Sequence, residues 1–131
     1  MTRASVSFPA ALVLVAGLLF GGEATAGQCP AFLNQDFTKP RSEESINLCE
    51  AYAGKSLLIV NTASHCGYTP QFKGLEALNR KYQARGLVVV GFPSDDFKQE
   101  AKQETETAEI CYINYGVTFT MLSPSVVTGS N

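Results

Sequence analysis

The sequence predicts an α/β domain built on a parallel sheet, on three observations. Two continuous apolar runs rich in β-branched residues, "SLLIV" at 56–60 and "LVVV" at 87–90, are too short for helices and read as buried strands. Between them, Phe72, Leu75, Leu78 and Tyr82, with Ala77 and Ala84, recur at the spacing of one helix face. A crossover of that length joins strands that run parallel.

The remaining elements follow in chain order. Residues 1–26 combine a basic start, "MTR", an apolar run, "FPAALVLVAGLLF", and a small-residue site, "ATAG". That is the layout of a secretory signal peptide. The expected cut follows Ala26 and leaves a domain over 27–131, periplasmic or secreted and free of the membrane. A spanning helix wants ~20 apolar residues, more than the run offers. Residues 27–45 are polar and interrupted by Pro30 and Pro40, so they read as extended segments and turns. "INLCEAYAGK" is a short element ending at Gly54, and "SLLIVNTA" is the first strong strand. The helix over 71–85 carries Arg80, Lys81 and Arg85 near its C-terminal end, where the dipole favours cations, and Gly86 is its stop. "LVVVGF" is the second strong strand; Pro93 ends it and "SDD" turns the chain. After a segment rich in Glu and Gln, a helix is expected from about Thr105 to Asn114, with Ala108, Ile110, Cys111 and Tyr115 as its apolar positions. "VTFTML" begins a third strand.

Composition excludes several classes. Ten Lys and Arg stand against twelve Asp and Glu, a net charge of -2, and no basic block suggests nucleic acid or an anionic membrane. The four cysteines, Cys29, Cys49, Cys66 and Cys111, include no C-x-x-C, so neither a zinc knuckle nor a dithiol redox pair is indicated. With His65 the single histidine, no metal or other cofactor is expected. In an oxidising compartment such cysteines pair or cycle.

Open parallel sheets place their sites outside the carboxyl ends of the strands. Cys66 follows the first strong strand and Ser94 to Asp96 follow the second, so the two loops should be neighbours. Cys66-Gly67 is expected at or just before a helix N-terminus. Free amides and the positive end of the dipole stabilise a thiolate there, and a glycine lets amides approach closely. The competing reading is a buried, inert cysteine. His65 is read as a surface or packing residue, because successive side chains of extended chain point opposite ways.

The stretch "KSLLIVNTASHCGYTPQFKGLEALNRKYQARGLVVVGFPSDDF" closely resembles the glutathione peroxidase family. The family pattern is a V-N-x-A-S strand, a peroxidatic cysteine or selenocysteine, G-x-T, a helix, and G-L-x-V-L-G-F-P. "AEICYINYGVTFTML" is similar to the family's E-F-C…Y-G-V-x-F-P-M segment, with Thr120 where proline is usual. The resemblance implies a thioredoxin-like fold and reduction of hydrogen peroxide or organic hydroperoxides. Glutathione or thioredoxin would be the reductant, and Cys66 the peroxidatic residue. It implies a supporting glutamine in "FKQE", matched best by Gln99 with Gln103 as the fallback, and a resolving cysteine at Cys111. Cys29 and Cys49 remain as a candidate structural disulfide.

The family's tryptophan–asparagine pair, in a strand reading roughly W-N-F, has no counterpart here; the sequence contains no tryptophan. The resemblance therefore implies a domain lacking its C-terminal part. A fragment, a frameshifted gene and a short form completed as a homo-oligomer all stand open. The alternative function is a catalytically inactive, thioredoxin-like remnant with a binding or structural role.

Overall fold

The structure is a computed structural model that describes residues 29–129; the signal peptide read over 1–26 lies outside them. Its first part is a 3-10 turn, Ala31–Leu33, followed by an antiparallel pair, β1 (Asp36–Thr38) and β2 (Ser45–Asn47). The sequence reading had only extended segments and turns here. A short helix α1 (Leu48–Ala51) follows directly, capped by Asn47, whose side-chain oxygen accepts from the amides of Cys49 and Glu50. A disulfide joins Cys29 to Cys49, with Cα atoms 5.8 Å apart, and ties the start of the described chain to α1.

The strands β3 (Ser56–Thr62), β4 (Leu87–Pro93) and β5 (Thr120–Met121) form a parallel sheet in the order β3-β4-β5. Helix α2 (Phe72–Tyr82) makes the expected crossover between β3 and β4. A 3-10 turn precedes it at Thr69–Gln71 and another follows at Gln83–Arg85, stopped by Gly86 at φ 90°. Side chains alternate across the sheet. Leu58, Leu87 and Val89 pack beneath Phe72 and Leu75 of α2, together with Cys111, Val117, Phe119 and Met121. Leu57, Val88, Val90 and Phe92 face the other way, against Leu48, Leu33, Phe37 and Ile46. Gly91 keeps β4 within reach of β5: a Cβ there would overlap Met121 Sδ.

One expectation of burial needs correction. The apolar run in β3 implies cover on both faces, yet Ile59 is 41% exposed and much of the strand is only half-buried. Among the described residues β4 is the strand paired with β3, so β3 behaves as an edge. Among the described residues, no helix is long and apolar enough to cross a membrane.

Helix α3 (Glu104–Ala108) runs without a break into a π-helical turn, Glu109–Asn114. The Tyr115 amide reaches back five residues to the Ile110 carbonyl. Ala108, Cys111 and Tyr115 keep the i, i+3, i+7 spacing of one helix stripe, with Ala108 and Cys111 buried, while Ile110 lies off that stripe and is half-buried.

Candidate active site

The loop after β3 and the loop after β4 meet, as the parallel pairing demands. The Ser94 amide donates to the Thr62 carbonyl at 3.1 Å and the His65 amide to the Gln99 carbonyl at 2.8 Å. Cys66 is a free thiol, half-buried. It lines a cleft of about 440 Å³ with Gln99, Tyr68, Phe72, Asn61 and Phe97. Cys66 and Gln99 are thus brought to one cleft. The fallback, Gln103, is the N-cap of α3, where its backbone carbonyl accepts from Glu106 and Thr107.

Local bonds fix the cysteine. The Cys66 amide donates to Thr69 Oγ1 at 3.0 Å, and the same hydroxyl donates to the Ala63 carbonyl at 2.9 Å. The Thr69 amide closes the turn onto the Cys66 carbonyl at 3.0 Å. The amide of Tyr68 donates to Cys66 Sγ at 3.4 Å. These bonds refine the expected helix-terminus geometry. Helix α2 begins only at Phe72, with Pro70 in the 3-10 turn before it, so the amide at the sulfur belongs to the turn and not to α2. Nor is Gly67 required by crowding, since a Cβ there would meet nothing within 4 Å.

His65 is exposed and pairs with Glu106 at 3.0 Å. Cys111, the expected resolving residue, is 2% exposed. Burial, and then the negative charge of Glu100, push its thiol up to about 12. In this state it is protonated and enclosed. A second cleft, of about 540 Å³, separates the Cys66 loop from the π turn: Cys66 and His65 form one wall, Ile110, Asn114 and Tyr115 the other.

Two contributors were not singled out from sequence. Thr69, the last residue of the C-G-x-T pattern, anchors the loop. Glu100, next to Gln99, is a 4% exposed carboxylate that joins both loops to α3. The adjacency of Gln99 and Glu100 in "FKQE" was the available signal for the latter, but its partners lie far off in sequence. Among the described residues, no three His, Cys, Asp or Glu side chains are grouped to hold a metal ion.

Comparison with known proteins adds the family. The family model described as glutathione peroxidase matches residues 29–131. The glutathione peroxidase-like peroxiredoxin gpx1 of Schizosaccharomyces pombe is 53% identical over 79 residues, which are 60% of this chain and 50% of that protein. A glutathione peroxidase of Lactococcus lactis is 48% identical over 87 residues, 66% of this chain and 55% of that protein. Among solved structures, the crystal structure of Trgpx in apo form aligns with TM-score 0.53 and 29% identity, over 75% of this chain and 55% of that one. The chain thus spans about half the length of the curated relatives it matches. A parallel β3-α2-β4 unit with Cys66 in the loop that follows β3, and a family match running from Cys29 through the last strand, lead to one assignment: this chain belongs to the glutathione peroxidase family and has its thioredoxin-like fold.

Proposed function

We propose that this chain is a thiol peroxidase that reduces hydrogen peroxide or organic hydroperoxides through Cys66, in the response to oxidative stress. The observation that carries the reading is the Cys66 sulfur, free, held by the Tyr68 amide, and lining one cleft with Gln99. The Cys66 thiolate attacks the terminal oxygen of the hydroperoxide. The O–O bond breaks, the leaving alkoxide or hydroxide takes a proton and departs as alcohol or water, and the sulfur becomes a sulfenic acid. The Tyr68 N–H stabilises the anionic sulfur, and the Gln99 amide offers a donor for the leaving oxygen as charge develops on it. A thiol reductant then condenses with the sulfenic acid, releasing water. A second thiol breaks the mixed disulfide and regenerates Cys66.

Glutathione or thioredoxin serves as that reductant. Cys111 acts as the resolving thiol only if the π turn opens, since its sulfur is buried and protonated in the folded state. The leader read over 1–26 supports export, with the Cys29–Cys49 disulfide suited to an oxidising compartment. The exposed edge and side chains of β3 support assembly as a homo-oligomer.

The test is peroxide consumption by the purified full chain with glutathione or with thioredoxin, wild type against Cys66→Ser. Activity should vanish in the variant. Equal rates in the two proteins, with both giving cooperative melting curves, would refute the peroxidase reading and leave a non-catalytic, thioredoxin-like role.

A further inference from the structure

The buried carboxylate of Glu100 has no direct part in the chemistry above, yet it gathers four donors from three segments. Its Oε1 accepts from the Ser64 hydroxyl, from the Thr107 hydroxyl at 2.6 Å and from the Ala101 amide at 2.9 Å; its Oε2 accepts from the Ser64 amide at 3.1 Å. Ser64 stands two residues before Cys66, and Thr107 lies in α3, the helix that continues into the π turn around Cys111. The neighbouring residues repeat the connection. The His65 amide bonds the Gln99 carbonyl, and the His65 ring pairs with Glu106 of α3. Both residues that precede Cys66 are therefore fastened to the 99–107 segment. Of these ties, the one through Glu100 is out of water.

We propose that Glu100 is a positioning residue: its carboxylate clamps the Cys66 loop to α3, and so sets where the Cys66 sulfur stands beside Gln99 and keeps the Cys111 turn folded. The inference rests on Cys66 being the reacting thiol, but the clamp itself is read without turnover. A buried carboxylate holding four donors is worth far more than an exposed one, because each donor it releases is left unpaired in a dry site. Losing the clamp frees the two sides together. The loop loses its anchor next to the sulfur, and α3 loses the bond that pins its buried face.

The chemistry of one substitution separates the two oxygens. In Glu100→Gln the amide keeps a single acceptor. Three donors converge on the Oε1 position and one on the Oε2 position, so the side-chain oxygen takes the first and the NH2 group the second. There it confronts the Ser64 amide, donor against donor. The variant thus cuts one of the two Ser64 bonds to the Cys66 loop and strips the charge from the Ser64 and Thr107 hydroxyl bonds that remain, at nearly unchanged volume.

The experiment measures alkylation of Cys66 and Cys111 by iodoacetamide in the folded full chain, resolved by peptide mass, across a pH series. For Glu100→Gln we expect Cys111 labelling to rise roughly ten- to a hundred-fold, the scale of one charge-assisted hydrogen bond lost, and the pH profile of Cys66 labelling to move from that of wild type. Leu48→Ala, in the core on the opposite face of the sheet, serves as a control of matched thermal destabilisation; it should leave the Cys66 profile in place. Should Glu100→Gln fail to fold, Ser64→Ala and Thr107→Val each remove one donor and carry the same expectation in weaker form. Labelling of both thiols within two-fold of wild type in folded variants would overturn the proposal, as would a Leu48→Ala control that moves the Cys66 profile equally. If wild type turns over no peroxide while the labelling changes appear, the peroxidase reading fails and the clamp stands. Activity lost in Cys66→Ser with unchanged labelling in Glu100→Gln gives the converse.

Discussion

Alkali should destabilise this protein through Cys111, by an amount that can be worked from the structure. The thiol ordinarily ionises near 9.0, and burial, with the charge of Glu100, raises it to about 12 in the folded chain. A group whose folded value is raised contributes stability that is fully present below its unfolded value and is lost as pH rises towards the folded one. At about pH 8 both states keep the proton and the loss is under about 0.1 kcal/mol. At about pH 10 the unfolded thiol has ionised roughly ten to one while the native thiol has not, and the difference reaches about 1.4 kcal/mol. Discounted for solvent screening, the expected loss is about 0.7 to 1.4 kcal/mol. The perturbation is Cys111→Ala, which removes the titration at the cost of a small cavity. The assay is urea unfolding of both proteins at the two pH values under reductant sufficient to keep Cys66 free and mild enough to leave the Cys29–Cys49 disulfide closed. The gap in stability between wild type and variant should narrow by the stated amount at the higher pH. Tyr112, whose phenol burial also pushes up, is present in both proteins and largely cancels. Parallel pH dependences, with a constant gap, would refute the claim that the native Cys111 thiol is held protonated.

Two further outcomes concern residues around the core and the site. Glu76 of α2 is buried; burial pushes its carboxyl up, but hydrogen bonds from the Thr118 hydroxyl and amide, and Arg80 beside it, outweigh burial and hold it below the usual carboxylate value. Its stabilisation is therefore present above the ordinary value of 4.5 and lost as pH falls through the lower folded value. Glu76→Gln should cost about 1–3 kcal/mol at neutral pH, with the gap to wild type closing in acid; a gap independent of pH in melting experiments would contradict this. Thr69→Val removes the hydroxyl that bridges Cys66 and Ala63. Peroxide consumption should fall about ten-fold, the scale of one or two lost hydrogen bonds at the site, while far-ultraviolet circular dichroism is unchanged; an unaltered rate would remove Thr69 from the site.

Much of the scaffold was legible because it obeys periodicities. The apolar runs and the helical face between them yield β3, α2 and β4, and parallel pairing then brings the Cys66 and Gln99 loops together without any further information. The hairpin β1–β2 escaped notice because strands of three residues, with one half-buried position in β1 and two in β2, are too short to display alternation. The π turn left no signal in the apolar stripe, because Ala108, Cys111 and Tyr115 keep regular α spacing across it. Pattern offered for Glu100 nothing beyond its place beside Gln99: a glutamate in a polar, charged segment reads as solvated, and its burial depends on donors at Ser64 and Thr107 that tertiary folding alone supplies. The signal over-read was the helix N-terminus. Thr69 and Pro70 set a 3-10 turn before α2, so the sulfur meets a turn amide.

The two free thiols therefore stand in opposed environments, on segments that face each other across one cleft. Cys66 is on a turn, open to two clefts and bonded by one amide. Cys111 is closed within the core, its proton held by the same burial that stabilises the α2 face of the sheet. A disulfide between them needs the Cys111 sulfur to leave the core and reach the cleft that Cys66 lines, and nothing short of opening the π turn does that. The π turn is six residues long, and opening it releases few backbone bonds, the Tyr115 amide to the Ile110 carbonyl among them. The buried clamp at Glu100 opposes it from the Cys66 side. Whatever loosens the Cys66 loop, including the added oxygen of a sulfenic acid crowding that turn, pulls on the bond that keeps Cys111 enclosed. In the proposed reaction, oxidation of Cys66 therefore precedes exposure of Cys111.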